Sequence, residues 1–330
     1  LAPHERARVI GIIINKFRGD ATLFDDGVRF IEQRTGLPVL GVVPMLRGLI
    51  LDQEDAVDIE RHRHAVFAKD RVNIAVVLLP RMSNFTDFNQ LVAEPDVVVR
   101  YAAVPADLDG ADVIVIPGSK NTIDDLAYVR QSGMAESISR YASDGAEIVG
   151  ICGGYQMLGR RIADPDGVEA GGDIEGFGLL DVTTRLATAK TTQWVEGESL
   201  EIEPQRGLPI RGYWIHMGQT TRCGARCCFH VRPVGGEAGQ PGGEEDAGFD
   251  GAVSETGLIW GTYVHGVFDL PEFRRAWINR IRGRKSLPPL ADAVSRGISQ
   301  SLGSQLDAWA DHLQLHLKVM PLIHAVSTRL

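Results

Sequence analysis

Residues 147–159 read EIVGICGGYQMLG, and the function of the chain turns on how Cys152 within them is read. Ile148, Val149 and Ile151 form a short apolar, β-branched run of the kind that makes a strand covered on both faces. Tyr155-Gln156-Met157-Leu158 reads as helix, and Gly153-Gly154 lies between the two. A strand, a glycine turn and a helix make one step of a parallel α/β sheet. Cys152 stands at the turn, and two readings of it are open here. It is either a buried thiol that closes an apolar strand or a nucleophile on a tight elbow. At such an elbow small neighbours permit a strained backbone and the helix N-terminus favours the thiolate.

Upstream the same alternation repeats. VIGIII (9–14), a helical stretch from Leu23 to Thr35, and VLGVVP (39–44) give strand, helix and strand in under 45 residues. A charged stretch, DIERHRHAVFAKDR (58–71), reads as a linker or a linking helix, and its histidines, His62 and His64, as solvated rather than metal ligands. A second α/β series opens at VNIAVVLLP (72–80), DVVVRYAAV (96–104) and ADVIVIPGS (111–119), followed by one long helix over 121–145 capped by Asn121 or Thr122. From about 170 to 265 the expected strands are shorter and turn-rich. The glycine- and acid-rich stretch 233–252 reads as a mobile loop, and the chain beyond Pro271 as mostly helical.

Bulk properties restrict what such a chain does. Its 330 residues suffice for two cores, with 44% hydrophobic and 23% charged residues, as in ordinary globular proteins. The formal charge of -9 argues against non-specific nucleic-acid binding. No apolar run approaches the roughly 18 residues of a membrane span, and no signal peptide is evident. Four cysteines (152, 223, 227 and 228) make a poor disulfide framework at this length, so a cytoplasmic setting is expected. CGARCCFH (223–230) offers three cysteines and His230 but lacks the separated ligand pairs of structural zinc sites, and no metal site is assigned.

Two further stretches complete a constellation. VIVIPGSKN (113–121) ends a strand in Pro-Gly-Ser at the carboxyl edge of the sheet, where open α/β folds bind ligands. The backbone amides of Ser119 and Gly153 are the natural pair of oxyanion donors there. GLIWGTYVHGVFD (257–269) delivers His265 at a strand end, and a cysteine nucleophile needs such a base.

PGS, GICGGYQ and YVHG, in that order, resemble the class I (triad-type) glutamine amidotransferases, with their flavodoxin-like open sheet. The resemblance makes Cys152 the nucleophile and His265 the base, and places Gly118 and Gln156 around the substrate glutamine. It also exposes a departure. The glutamate usual two residues after the histidine is here Val267, which points to a subgroup working with a Cys-His pair. IAVVLLPRMSNFTDFNQL (74–91), VIPGSKNTIDDL (115–126) and RGYWIHMGQT (211–220) are similar to the cobyric acid synthase family of cobalamin biosynthesis. In its members the position of Trp214 is more often a glutamate. VIGIIINKFRGD and TGLPVLGVVP resemble the end of that family's ATP-dependent, dethiobiotin-synthetase-like P-loop domain.

The resemblance implies three parts: the end of a synthetase domain with a linker (1–69), a glutaminase domain (70–270), and a helical extension (271–330). It implies a corrin substrate, adenosylcobyrinic acid a,c-diamide, with Asn84, Asp87 and His216 as candidates for its crevice. ATP and Mg²⁺ are implied for the complete enzyme, together with a synthetase segment upstream of Leu1. The 330 residues contain no Gly-Lys dipeptide, hence no G-x-x-x-x-G-K-[ST] phosphate loop, and no cofactor is assigned to this chain alone. Two alternatives are a cobyrinic acid a,c-diamide synthase, which shares the Cys-His glutaminase, and a non-catalytic flavodoxin-like binding domain.

Overall fold

The computed structural model describes residues 3–20, 23–46, 62–202, 206–234, 248–291, 301–321 and 323. The chain divides into two compact units: residues 1–51 with 300–330, and residues 52–299. The expected extension 271–330 is divided between the two, its first part belonging with the larger unit.

In the smaller unit a four-residue helix, α1 (Pro3–Arg6), precedes β1 (Ile12–Phe17), α2 (Asp25–Thr35) and β2 (Val39–Pro44). The two strands pair in parallel, as the sequence pattern requires, although β1 begins three residues later than the apolar run. Gly36 ends α2 in the left-handed conformation (φ 66°), with its N–H on the Glu32 carbonyl. Helix Ser301–His316 packs on β2, and a side chain on Gly41 would strike the carbonyl of His316.

The larger unit is built in chain order from β3 (Val72–Val77), α3 (Asn89–Ala93), β4 (Val97–Ala102), β5 (Val113–Ile116), α4 (Thr122–Gln131), α5 (Met134–Ser143), β6 (Glu147–Ile151) and α6 (Gly153–Leu158). The chain then makes a second sheet from β7 (Arg161–Asp164), β8 (Gly172–Glu175), β9 (Val182–Ser199), β10 (Pro209–Arg222), β11 (Phe229–Pro233) and β12 (Phe249–Asp250). It returns through β13 (Ala252–Val253), β14 (Ile259–Thr262) and α7 (Pro271–Arg284). The first sheet runs β13-β14-β6-β5-β3-β4, parallel except for β13 at its edge. Every residue of β3, β5 and β6 is buried, which explains why their sequences read as continuous apolar runs rather than alternating ones.

Three details depart from the sequence reading. The helix over 121–145 is two helices, broken at Ser132-Gly133, where Gly133 takes φ 75°; Asn121 is the N-cap, its side chain accepting from the Asp124 amide at 3.1 Å. The strands after 170 are not all short. β9 and β10, of 18 and 14 residues, form a long antiparallel pair with one bulge between His216 and Gly218. Turn residues such as Gly212 and Gly218 obscured it; each is a glycine of close approach inside β10. Of the expected loop 233–252, residues 235–247 lie outside the described residues, while 249–250 and 252–253 are strand.

Candidate active site

β6 ends where the chain must turn sharply. Cys152 has φ 53° and ψ -109°, a strained conformation for a residue with a side chain. Its N–H is fixed on the Thr262 carbonyl of β14 at 2.8 Å, and its carbonyl accepts the Gln156 N–H at 3.1 Å. The elbow is this tight because its neighbours lack side chains. A Cβ on Gly154 would lie 1.9 Å from the Ile116 carbonyl oxygen, and one on Gly150 would lie 2.7 Å from Gly154 backbone.

Gly118 sits between Cys152 and His265. A Cβ there would come 3.2 Å from His265 Cε1 and 3.7 Å from Cys152 Cβ, so the two functional groups face one another across it. His265 is wholly buried, and its backbone is locked to Tyr213 of β10 by paired N–H···O bonds of 3.0 Å each. Gly212 leaves room for that pairing: a Cβ there would be 2.0 Å from the His265 carbonyl oxygen.

The Pro-Gly-Ser turn is held from beneath. Buried Asp125 accepts from the Ser119 hydroxyl at 2.6 Å and from the Arg81 amide at 3.2 Å. The segment Arg81–Ser83 lines the turn through Ser83 N–H to Gly118 carbonyl and Lys120 N–H to Arg81 carbonyl, both 2.9 Å. The amides of Ser119 and Gly153 are left without an acceptor among the described residues. They lie side by side, since a Cβ on Gly153 would stand 3.0 Å from the Ser119 nitrogen. Two adjacent open donors beside a nucleophile are what an oxyanion requires.

A cleft of about 310 Å³ opens over this centre, and its lining includes Asn84, Ser119, Cys152, Gln156, Glu169 and Lys190. Gln156 is buried, donating from Nε2 to the Tyr263 hydroxyl at 3.1 Å while its Oε1 has no partner. Glu169, which the sequence reading passed over, accepts the Thr122 and Ile123 amides at the start of α4, at 2.6 and 3.3 Å. Burial raises its pKa although those amides pull the other way. The loop that delivers it is wound around the Asp164 carboxylate, which accepts the amides of Val168, Glu169 and Gly171.

The three residues assigned to a corrin crevice gather near His265 instead of forming a separate surface. Asp87 is buried, with Oδ2 2.8 Å from His265 Nδ1 and Oδ1 accepting the Gly266 amide at 2.8 Å. Its burial removes it from any crevice. A carboxylate therefore does lie on the imidazole, contrary to the expectation of a bare Cys-His pair. The Asn84 amide lies 3.2 and 3.0 Å from His265 Nδ1 and Nε2, and Asn84 itself takes a left-handed φ of 52°. His216 lines the cleft but is 8% exposed, bonded through Nδ1 to the Gly218 carbonyl and stacked at 3.9 Å on Tyr263. Burial lowers its pKa to about 4, so it is neutral at ordinary pH. Burial also pushes His265 down, but the charge and hydrogen bond of Asp87, with those of Cys152, outweigh it and raise His265 to about 10. Trp214 donates to buried Asp250 at 3.2 Å and is core. The cysteines at 223, 227 and 228 form no metal cluster among the described residues.

The family model of the CobB/CobQ-like glutamine amidotransferase domain matches residues 73–273, and so spans all of these groups. The chain belongs to the CobB/CobQ-like glutamine amidotransferases. Among similar proteins of this amidotransferase family are cobyric acid synthases of Citrobacter koseri and Nostoc punctiforme. They are 46% and 40% identical over 96% and 98% of this chain. The chain spans 61% and 63% of those two relatives' lengths. Among solved structures, PurLQS from Thermotoga maritima is similar over 70% of this chain and 99% of its own, at 21% identity and a TM-score of 0.44. No helix among the described residues is long and apolar enough to cross a membrane.

Proposed function

We propose that this chain hydrolyses glutamine at Cys152 and supplies the ammonia for amidation of a corrin carboxylate. The observation that carries the reading is the strained Cys152 elbow facing His265, beside two open amides. The sulfur attacks the carboxamide carbon of glutamine, and the developing oxyanion is received by the Ser119 and Gly153 amides. His265 holds the thiol proton and returns it to the leaving nitrogen, so ammonia departs and a γ-glutamyl thioester remains. Water, deprotonated by the same imidazole, then releases glutamate and restores the thiol. The charged end of glutamine matches the cleft: Glu169 suits its ammonium, while Lys120 and Lys190 suit its carboxylate. Gln156 lines the cleft beside Cys152, and its orphan Oε1 is free to accept from a ligand, while Gly118 leaves the room between Cys152 and His265.

The cobyric acid synthase reading, with adenosylcobyrinic acid a,c-diamide as acceptor, rests on the similarity of the relatives, of which this chain covers about three fifths. ATP and Mg²⁺ would activate the corrin carboxylate as an acyl phosphate. The 330 residues offer no phosphate loop for this, and no step here runs through them. Two assays test the reading. The chain alone should convert glutamine to glutamate, and Cys152→Ala should not. Neither should amidate the corrin with ATP and Mg²⁺ unless a synthetase segment is supplied; amidation by the chain alone would overturn this division of labour. Amidation of cobyrinic acid rather than its a,c-diamide would move the assignment to the sister enzyme.

A further inference from the structure

The glutamate that amidotransferases of the triad type carry two residues after the histidine is Val267 here, buried at 1% exposure. The imidazole nonetheless has a carboxylate, brought from a distant part of the chain. Asp87 lies on the turn Phe85–Phe88 that leads from β3 into α3, 178 residues before His265. We propose that Asp87 is the positioning carboxylate of His265, reaching it from the loop after β3 instead of from the histidine's own segment. The proposal rests on the glutaminase reading of Cys152 and His265.

Three observations carry it. Asp87 uses both oxygens on one target, Oδ2 on the ring and Oδ1 on the Gly266 amide, each at 2.8 Å, so it fixes ring and backbone together. With Nδ1 held by Asp87, Nε2, which the Asn84 amide also approaches at 3.0 Å, is the nitrogen that would exchange a proton with the sulfur of Cys152. The pair is dry, with side chains 0% and 2% exposed, so water does not compete for the imidazole. Finally, the loop that carries Asp87 also holds the oxyanion turn: Ser83 donates to the Gly118 carbonyl and Arg81 accepts from Lys120. One segment, 81–88, thus sets the base and one oxyanion donor against each other. The remaining groups facing the ring are Cys152, Asn84, Tyr213 stacked at 5.4 Å, and the neutral His216; Asp87 is the sole carboxylate among the described ones.

A merely structural Asp87, tying down the Gly266 turn, would affect stability and leave the chemistry of folded molecules alone. The test compares the full chain with Asp87→Asn and Asp87→Glu, reading two properties. The first is kcat and KM for glutamine. The second is the pH dependence of alkylation at Cys152 by the anionic reagent iodoacetate, followed by mass spectrometry so that Cys223 does not interfere. Asp87→Asn should lower kcat roughly 10²-fold while KM stays within about threefold. The pH above which imidazolium-assisted alkylation fades should fall by at least about one unit. Asp87→Glu should recover part of both. A folded Asp87→Asn protein with kcat within about threefold and an unmoved alkylation profile would overturn the proposal. If the wild type hydrolyses no glutamine, the glutaminase reading fails, and the alkylation profile still decides the role of Asp87. If Asp87→Asn does not fold, ¹⁵N NMR of His265 in the wild type decides instead. A ring protonated beyond pH 8 supports the proposal, and one titrating near the ordinary histidine value overturns it.

Discussion

Glu147, which opens β6, and Cys152, just past its end, are five residues apart and sit in surroundings built on opposite principles. At the Glu147 end buried charge is met by opposite charge and by indole donors. The buried Glu147 carboxylate accepts the indole N–H of Trp260 at 2.8 Å and of Trp277 at 2.7 Å, and pairs with Arg280. Next to it Arg274 and Arg275 of α7 are fully buried against Glu94 and Asp96. At the Cys152 end donors are left open, the backbone is strained, and glycine replaces side chains wherever atoms must approach. A strand that is anchored by paired buried charges at one end can hold open amides and a positive φ at the other, because the surrounding structure fixes them.

The contrast is most exposed to failure at its active end. Cys152→Ala should abolish glutamine hydrolysis while leaving the thermal midpoint unchanged, since the elbow keeps its backbone and loses only the sulfur. A large fall in the midpoint would mean that Cys152 is a core thiol. The Glu147 end should answer in the opposite way. Glu147→Leu strands two buried indole donors and the partly buried Arg280 guanidinium, and should cost about 3–5 kcal/mol in denaturant unfolding. Turnover per folded molecule should stay as it was.

Val267→Glu tests whether the centre has room for the usual third member. Asp87 already occupies His265 Nδ1 and Val267 is buried in core, so the change should cost about 2–3 kcal/mol and should not raise turnover. A stable variant with faster hydrolysis would break this account of the imidazole.

The smallest effect is one of pH. His216 has its folded pKa lowered by burial from 6.5 to about 4, so its contribution is present above about 6.5 and lost as pH falls toward 4. Asp250, raised by burial from 3.8 to about 6, acts with the opposite sign, favouring the fold as pH drops through that range. Unfolding free energy measured between pH 7 and 4 should fall less steeply in His216→Asn than in the wild type. An equal slope would show that His216 does not titrate in this window.

The parts of the site that are local in sequence were legible. The Cys152 elbow, the Pro-Gly-Ser turn and the strand end at His265 each announce themselves by a few adjacent residues, because backbone geometry there demands glycine or proline. The central parallel sheet was legible for the same reason: both faces of β3, β5 and β6 are buried, so their composition is uniform. Asp87 was not legible as a partner of His265. Its neighbours read as an ordinary turn, and only the pairing of β3 and β14 with the same sheet brings the two together. Glu169 was hidden likewise, in a glycine- and acid-rich loop whose order comes from Asp164. The length of β9 and β10 was missed because glycines placed for close approach look like turn residues.

The most direct test of the central claim is covalent capture of Cys152. A γ-diazoketone analogue of glutamine, incubated with the wild-type chain, should add once, at Cys152, and saturating glutamine should block the addition. His265→Ala should slow labelling strongly without changing its position. Labelling that ignores glutamine, or that falls on Cys223 while Cys152 stays unmodified, would contradict the assignment of this cleft as a glutaminase site.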